Sequence, residues 1–320
     1  MINRKDMSWQ DYFEYINYTI DDETIERYEY KDKSVEKLPE NLPMPPTNTF
    51  HRMFVCCEQL RDITALANWD TRNVKDMSDM FCHCYQLQDI TALANWDVSN
   101  VKDMRWMFSF CHQLQDITAL SNWSVSNVEY TYGMFYDCYP LKDISALANW
   151  DTRNVKDMTE MFCHCDRLQN ITALSNWNVS KVENMHNMFC ECNHLQDISA
   201  LANWDVSSVK DIGGMFFNCC RLQDVSALAN WNVSGVEGMH FMFSFCNRLR
   251  NISALSNWIV SNVKDMGCMF SFCEDLKDIT ALSNWDVSKV EDMSSIFQGC
   301  YQLQDTTALA NRNLSNVKIR

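Results

Sequence analysis

Residues 87–113 read LQDITALANWDVSNVKDMRWMFSFCHQ, and this stretch sets the reading of the whole chain. It is one copy of a 27-residue unit. Its tryptophan recurs at Trp69, Trp96, Trp123, Trp150, Trp177, Trp204, Trp231, Trp258 and Trp285, always 27 residues apart. A strict period in this range marks a solenoid, in which each unit is one coil stacked on the next. The copies begin at Leu60 and continue to a partial one starting at Leu303.

Two segments of the unit follow different rules. The first, as in Leu60-Arg-Asp-Ile-Thr-Ala-Leu-Ala-Asn-Trp69, predicts a short extended strand with Leu60, Ile63, Leu66 and Trp69 turned inward. Its last residues hold an asparagine in all ten copies: Asn68, Asn95, Asn122, Asn149, Asn176, Asn203, Asn230, Asn257, Asn284 and Asn311. A buried Asn carries donors and an acceptor, so this column is expected to satisfy backbone groups from coil to coil. The second segment, as in residues 73–84, places Met77, Met80, Phe81 and Cys84 at i, i+3, i+4, i+7, which predicts a short amphipathic helix. Asn73 and Asp76 then read as its capping box. The expected architecture is α/β, a leucine-rich-repeat-like solenoid whose coils each hold a short strand and a short helix.

Residues 1–46 stand outside the repeat. Ser8 and Asp11 resemble a capping box ahead of Trp9, Tyr12, Phe13 and Ile16, which predicts a helix over 9–18. This segment is read as an N-terminal helical cap or docking segment, followed by a solenoid of about ten coils over 47–320. The last copy substitutes Thr306 for Ile and Arg312 for Trp, as a coil facing water requires.

Composition narrows the function classes. A net charge of −15 lacks the basic footprint that nucleic acid or anionic lipid demands. No apolar run is long enough to span a membrane, and the N-terminus lacks a signal-peptide core, which predicts a cytoplasmic protein. Ten of the sixteen cysteines share one repeat position, from Cys57 to Cys300. Side chains stacked in parallel are poorly oriented for disulfides, so these read as reduced, buried residues.

The motif Asn95-Trp96-Asp97-Val98-Ser99-Asn100-Val101-Lys102-Asp103-Met104, followed by Met107-Phe108 and Cys111, resembles the BspA-type leucine-rich repeat over residues 50–320. That resemblance implies a solenoid that binds other macromolecules. Its secreted relatives suggest a second possibility, a cell-surface adhesin, for which the sequons at Asn178, Asn232 and Asn313 would matter.

Within the chain, binding surfaces should vary while the scaffold repeats. The strand side barely varies, whereas the helix side does, and Trp106, Phe110, Phe241, Phe245 and Phe272 are its candidate partner-binding residues. Cys163, His164 and Cys190, with Cys165 or Cys192, are a candidate zinc set. The regular Asp and Thr columns could serve calcium or a periodic surface. The seven histidines are read as solvated. No nucleophile–base set or phosphate loop stands out, and no cofactor is expected. The function read from the sequence is therefore a non-enzymatic scaffold that binds an unidentified protein, without nucleic acid or membrane insertion.

Overall fold

The computed structural model describes residues 7–20, 23–305 and 308. The chain opens with one turn of helix, α1 (Trp9–Tyr12), and an antiparallel hairpin of β1 (Phe13–Ile20) and β2 (Glu23–Tyr30). The expected helix over 9–18 is thus cut short. Asp11 does accept a hydrogen bond from the Ser8 backbone N–H at 2.7 Å. Beyond Tyr12, however, the run FEYINYTI is rich in aromatic and β-branched residues, and strand pairing wins. The hairpin lies against the first coil. Phe13 packs on Phe54 and Trp69, and Tyr30 on Phe54, while the Tyr30 N–H donates to the Met53 carbonyl. Two buried aromatics thereby cover an end that would otherwise expose a hydrophobic column.

Stacked 27-residue coils follow, but their local structure inverts the expectation. The segment predicted as a strand holds the only helical turn in the described part of each coil, a 3-10 turn such as Thr64–Asn68, Thr91–Leu93 or Thr280–Asn284. The segment predicted as a helix is a run of tight turns bonded to the next coil. Met77, Asp79, Phe81 and His83 donate their N–H groups to the carbonyls of Asp103, Arg105, Met107 and Ser109. The alternate residues Met80, Cys82 and Cys84 bond three residues back within the coil. Parallel bridges run down the same line from Thr49↔Asp76 to Asp265↔Asp292.

The physical reason is that i, i+3, i+4, i+7 also describes two four-residue turns in tandem. In residues 77–80 and 81–84 the corner residues Met77, Met80, Phe81 and Cys84 point inward and are fully buried, just as a helix face would be. The third residue of each turn, Asp79 and His83, takes a positive φ of 54° and 61°, the arrangement of type II turns. A two-turn helix would have been marginal alone. Turns that share hydrogen bonds with a neighbour satisfy the same backbone groups without it.

Aspartates fix the bends. In each coil a side-chain Oδ1 accepts the N–H two residues on, an Asx turn, at Asp62 (to Thr64, 2.9 Å), Asp97 (to Ser99, 3.0 Å) and Asp76 (to Ser78, 2.8 Å). Much of the negative charge is therefore spent on turns rather than gathered for a ligand. Asn serves equally well in the same columns, as at Asn170, Asn178 and Asn184.

The core is built of continuous columns. Phenylalanines from Phe54 to Phe297 stack ring on ring at 5.6–5.9 Å, within 15° of parallel. Each buried Trp donates its Nε1–H to a leucine carbonyl of the preceding coil, as from Trp96 to Leu66 and Trp204 to Leu174. The cysteine column does likewise, Cys84 to Phe54 and Cys192 to Phe162, both at 3.2 Å. The thiols are thus weak donors to carbonyls as well as small apolar fillers. Burial drives their pKa values well above the ordinary range, so they remain protonated and able to donate.

The asparagine column before each tryptophan does not play the expected part. From Asn68 to Asn284 these side chains are exposed at or just beyond the end of the 3-10 turn, and Asn311 lies outside the described residues. The intercoil role belongs to another column, in which Asn100, Asn127, Asn154 and Asn262 donate to the carbonyls of Arg72, Ser99, Ser126 and Ser234. The substitutions at Thr306 and Arg312 also fall outside the described residues. Among the described residues no helix is long and apolar enough to cross a membrane.

Candidate interaction face

Every position in the turn ladder that varies from copy to copy at 79 and 83 has a positive φ. Trp106 and Phe110 stand at 54° and 60°, Phe241, Phe245 and Phe272 at 56–60°. Glycine or asparagine suits this region, and three glycines do occupy it, at Gly133, Gly214 and Gly299. Bulky aromatic residues there carry strain of about 1–2 kcal/mol each. Nothing in the backbone demands them, because the smaller residues make the same turns in neighbouring coils.

The five aromatics named from the sequence fall into two groups on this face rather than one. In the first, Trp106 meets Tyr132 and Tyr136 edge-on, with ring centres 4.6 and 5.2 Å away. Phe110 stacks on His83 at 4.3 Å and leans on Tyr136 at 5.2 Å. Tyr85, His112 and Tyr139 extend the group sideways. In the second, Phe245 stacks on Phe272 at 4.5 Å, and Phe217 bridges Phe245 and Phe241. Polar coils lie between, where Asn218 donates to Glu191 at 2.6 Å. Four of the five are half-buried by their neighbours, while Phe241 is 41% exposed. Ring faces are largely used within the ladder, so the surface presents ring edges.

Tyr132, Tyr136 and Phe217 escaped the sequence reading, and apart from His164 the histidines were read only as solvated. The signal was present: Tyr132, Tyr136 and Phe217 each stand one residue from a variable position, at Gly133, Asp137 and Asn218. Five histidines fall within the ladder, at 51, 83, 164, 186 and 240, and two follow a ladder cysteine, at 112 and 194. Five of the seven face an aspartate of an adjacent coil, closest for His112 Nε2 and Asp137 at 3.0 Å. Burial holds His51 and His83 below the usual imidazole range, whereas the Asp211 carboxylate raises His186. Burial lifts the Tyr136 phenol to about 12, so it remains a neutral donor.

The candidate zinc set is only half assembled. Cys163 and Cys190 are neighbours in one buried column, and their mutual hydrogen bond together with burial raises the Cys163 thiol far above its ordinary value. His164 belongs to the outer column at φ 59°, with its ring against Tyr136. Cys165 and Cys192 already donate to Phe135 and Phe162. Among the described residues no group of three His, Cys, Asp or Glu side chains is placed to hold a metal ion. The Asp62 column is engaged with its own chain, Oδ1 accepting from both the N–H and the hydroxyl of Thr64.

A family model described as "Mycoplasma protein of unknown function, DUF285" matches residues 48–147, 141–251 and 223–319. No protein of curated function matches the chain.

Proposed function

From the premise that the chain belongs to this Mycoplasma-type repeat family of unknown function, whose three matched segments together cover residues 48–319, we propose that it is a non-enzymatic scaffold binding a protein partner through the outer face of its turn ladder. The observation that carries the reading is the presence of Trp106, Phe110, Phe241, Phe245 and Phe272 at left-handed backbone positions where Gly or Asn would be less strained. Strain retained at a surface points to use of that surface. Aromatic side chains are also the residues that most often anchor protein contacts. The two groups are separated along the array, which suits an extended partner touching several coils.

The likeness of the repeat to BspA-type leucine-rich repeats supports the binding role, with the turn ladder in place of the strand face such repeats use. We place the protein inside the cell, where an exposed free thiol such as Cys56 is stable. Its net charge of −15 favours a protein over nucleic acid or an anionic membrane.

The test compares three baits in affinity capture from the native cell. They are the wild-type chain, the double variant Phe110→Asn with Phe245→Asn, and a control changed on the 3-10 side, Thr118→Ala with Ser145→Ala. The partner should be recovered with wild type and control and lost with the ladder variant. Equal recovery by all three removes the ladder from the binding surface.

A further inference from the structure

The turn ladder is complete between coils but not at its start. The carbonyls of Ser78, Arg105 and Tyr132 accept the N–H groups of Arg52, Asp79 and Trp106 in the preceding coil, and the series runs on to Ser294, which accepts from Cys268. In the first coil the equivalent carbonyl is that of His51, and among the described residues it accepts no such bond. The carbonyl one rung earlier, at Thr49, accepts from the Thr47 hydroxyl at 3.1 Å. Its equivalents from Asp76 to Asp292 accept instead from a preceding coil.

The strand β2 stands where a preceding coil would stand, yet it meets this line at one end. Its Tyr30 N–H reaches the Met53 carbonyl at 2.7 Å. The bond from the Lys31 N–H to the Tyr12 carbonyl sets the hairpin register, so Tyr28 and Glu26, like Tyr30, turn their backbone groups away from β1. Neither of the two bonds to the first coil. Between them lies a cleft of about 610 Å³, with Tyr15, Glu26 and Tyr28 on one bank and residues 46–49 on the other. Its volume is that of an ordinary ligand site.

An open strand edge is a template for another strand. Here the edge of β2 borders the cleft, and the ladder lacks a rung beside it. An extended guest would satisfy both through its main chain, while its side chains set specificity. The side-chain chemistry of the cleft suits a cation. Tyr15 is 47% exposed, packs on Tyr28 at 5.2 Å, and carries its hydroxyl to the Glu26 carboxylate. Glu26 is the one charged side chain among the described residues that line the cleft. An exposed ring beside a lone carboxylate attracts lysine or arginine, and the net charge of −15 draws the same sign of partner. We infer that the cleft takes up an extended segment of a partner protein. The segment's backbone adds to β2 and supplies the rung missing at His51, and its lysine or arginine lies on Tyr15 against Glu26. This contact does not rest on the aromatic groups of the ladder.

The probe is a capped seven-residue peptide of alternating valine and threonine with a central arginine, titrated calorimetrically into the full-length chain. One equivalent should bind, and amide exchange at Glu26 and Tyr28 should slow in the complex. Glutamine in place of the peptide's arginine should weaken binding at least about fivefold. Glu26→Gln and Tyr15→Ala should each weaken the arginine peptide by a similar factor, with urea midpoints unchanged because both side chains are exposed. Methylating the peptide's amide nitrogens should abolish binding. The Phe110→Asn/Phe245→Asn variant should bind the peptide as wild type does, which separates this result from the capture experiment. The inference is overturned if the peptide does not bind, if the arginine and glutamine peptides bind equally, or if exchange at Glu26 and Tyr28 is unchanged. Binding that appears only after removal of residues 1–6 also overturns it, because the chain's own Arg4 and Lys5 would then be the occupant.

Discussion

The 3-10 segment that ends at each tryptophan and the turn ladder that ends at each cysteine share a coil but answer to different demands. In the first, side chains hardly change from copy to copy, and the Trp Nε1–H reaches back to the previous coil at 2.9–3.1 Å throughout. In the second, the inward Met, Phe and Cys positions are nearly constant, yet the outward residues range from Gly to Trp at one backbone geometry. The backbone conformation of the ladder is set by bonds to neighbouring coils, so its outward side chains are free to serve something else. Constancy on one side and tolerance on the other follow from where the hydrogen bonds lie.

The largest effect should come from breaking the constant side. Trp204→Ala removes a fully packed ring and its bond to Leu174 in mid-array, and should cost about 3–5 kcal/mol in urea unfolding. A loss below about 1 kcal/mol would mean that the ladder alone holds the coils in register. Next is Gly133→Ala. Its φ of +62° disfavours alanine by about 1–2 kcal/mol, and the new Cβ would strike the Trp106 ring that lies over it. Reduced stability should appear together with a changed near-ultraviolet signal from Trp106.

Acid should act on the bends. Hydrogen bonds from the Thr64 hydroxyl and backbone depress the Asp62 pKa to about 2. The folded value lies below the unfolded one, so this stabilisation is complete above about pH 4 and is lost as pH falls towards 2. Because Asp62 is about a third exposed, at 31%, the effect per residue is small. Asp62→Asn, which keeps the turn acceptor as Asn170 does, should flatten the fall in urea midpoint between pH 4 and 2.5. The smallest effect on stability is expected from Phe241→Asn. Relief of strain offsets lost contacts with Phe217, leaving the midpoint within about 1 kcal/mol of wild type. Should partner binding nonetheless collapse in this variant, strain and function reside in the same side chain.

The repeat, its length and its buried columns were legible because every inward residue recurs at 27. Secondary structure within the unit was not. Met77, Met80, Phe81 and Cys84 face inward in a helix and in two tandem turns alike, and only bonds to another coil decide between them. The asparagines misled for a related reason. Regular recurrence suggested an interior role for Asn68 and its equivalents, whereas the residue reaching the neighbouring backbone is Asn100 with its equivalents, in a column that also contains Lys181, Ser208 and Gly235. On the candidate face, five aromatics were recognised from their variability. Their stacking partners, and the approach of His186 to His240 beside Gly213, depend on which side chains lean into which gap.

The tryptophan and cysteine donors point towards the preceding coil, while the N–H groups at 77, 79, 81 and 83 and their equivalents point towards the following one. Each coil therefore offers the same connector at its front and the matching connector at its back. An array built this way can gain or lose a whole copy of 27 residues by unequal crossing-over, and the new junction has the hydrogen bonds of the old one. Length is then an adjustable property of the molecule. So is the spacing between the two aromatic groups, which changes in steps of one coil with no redesign of the core.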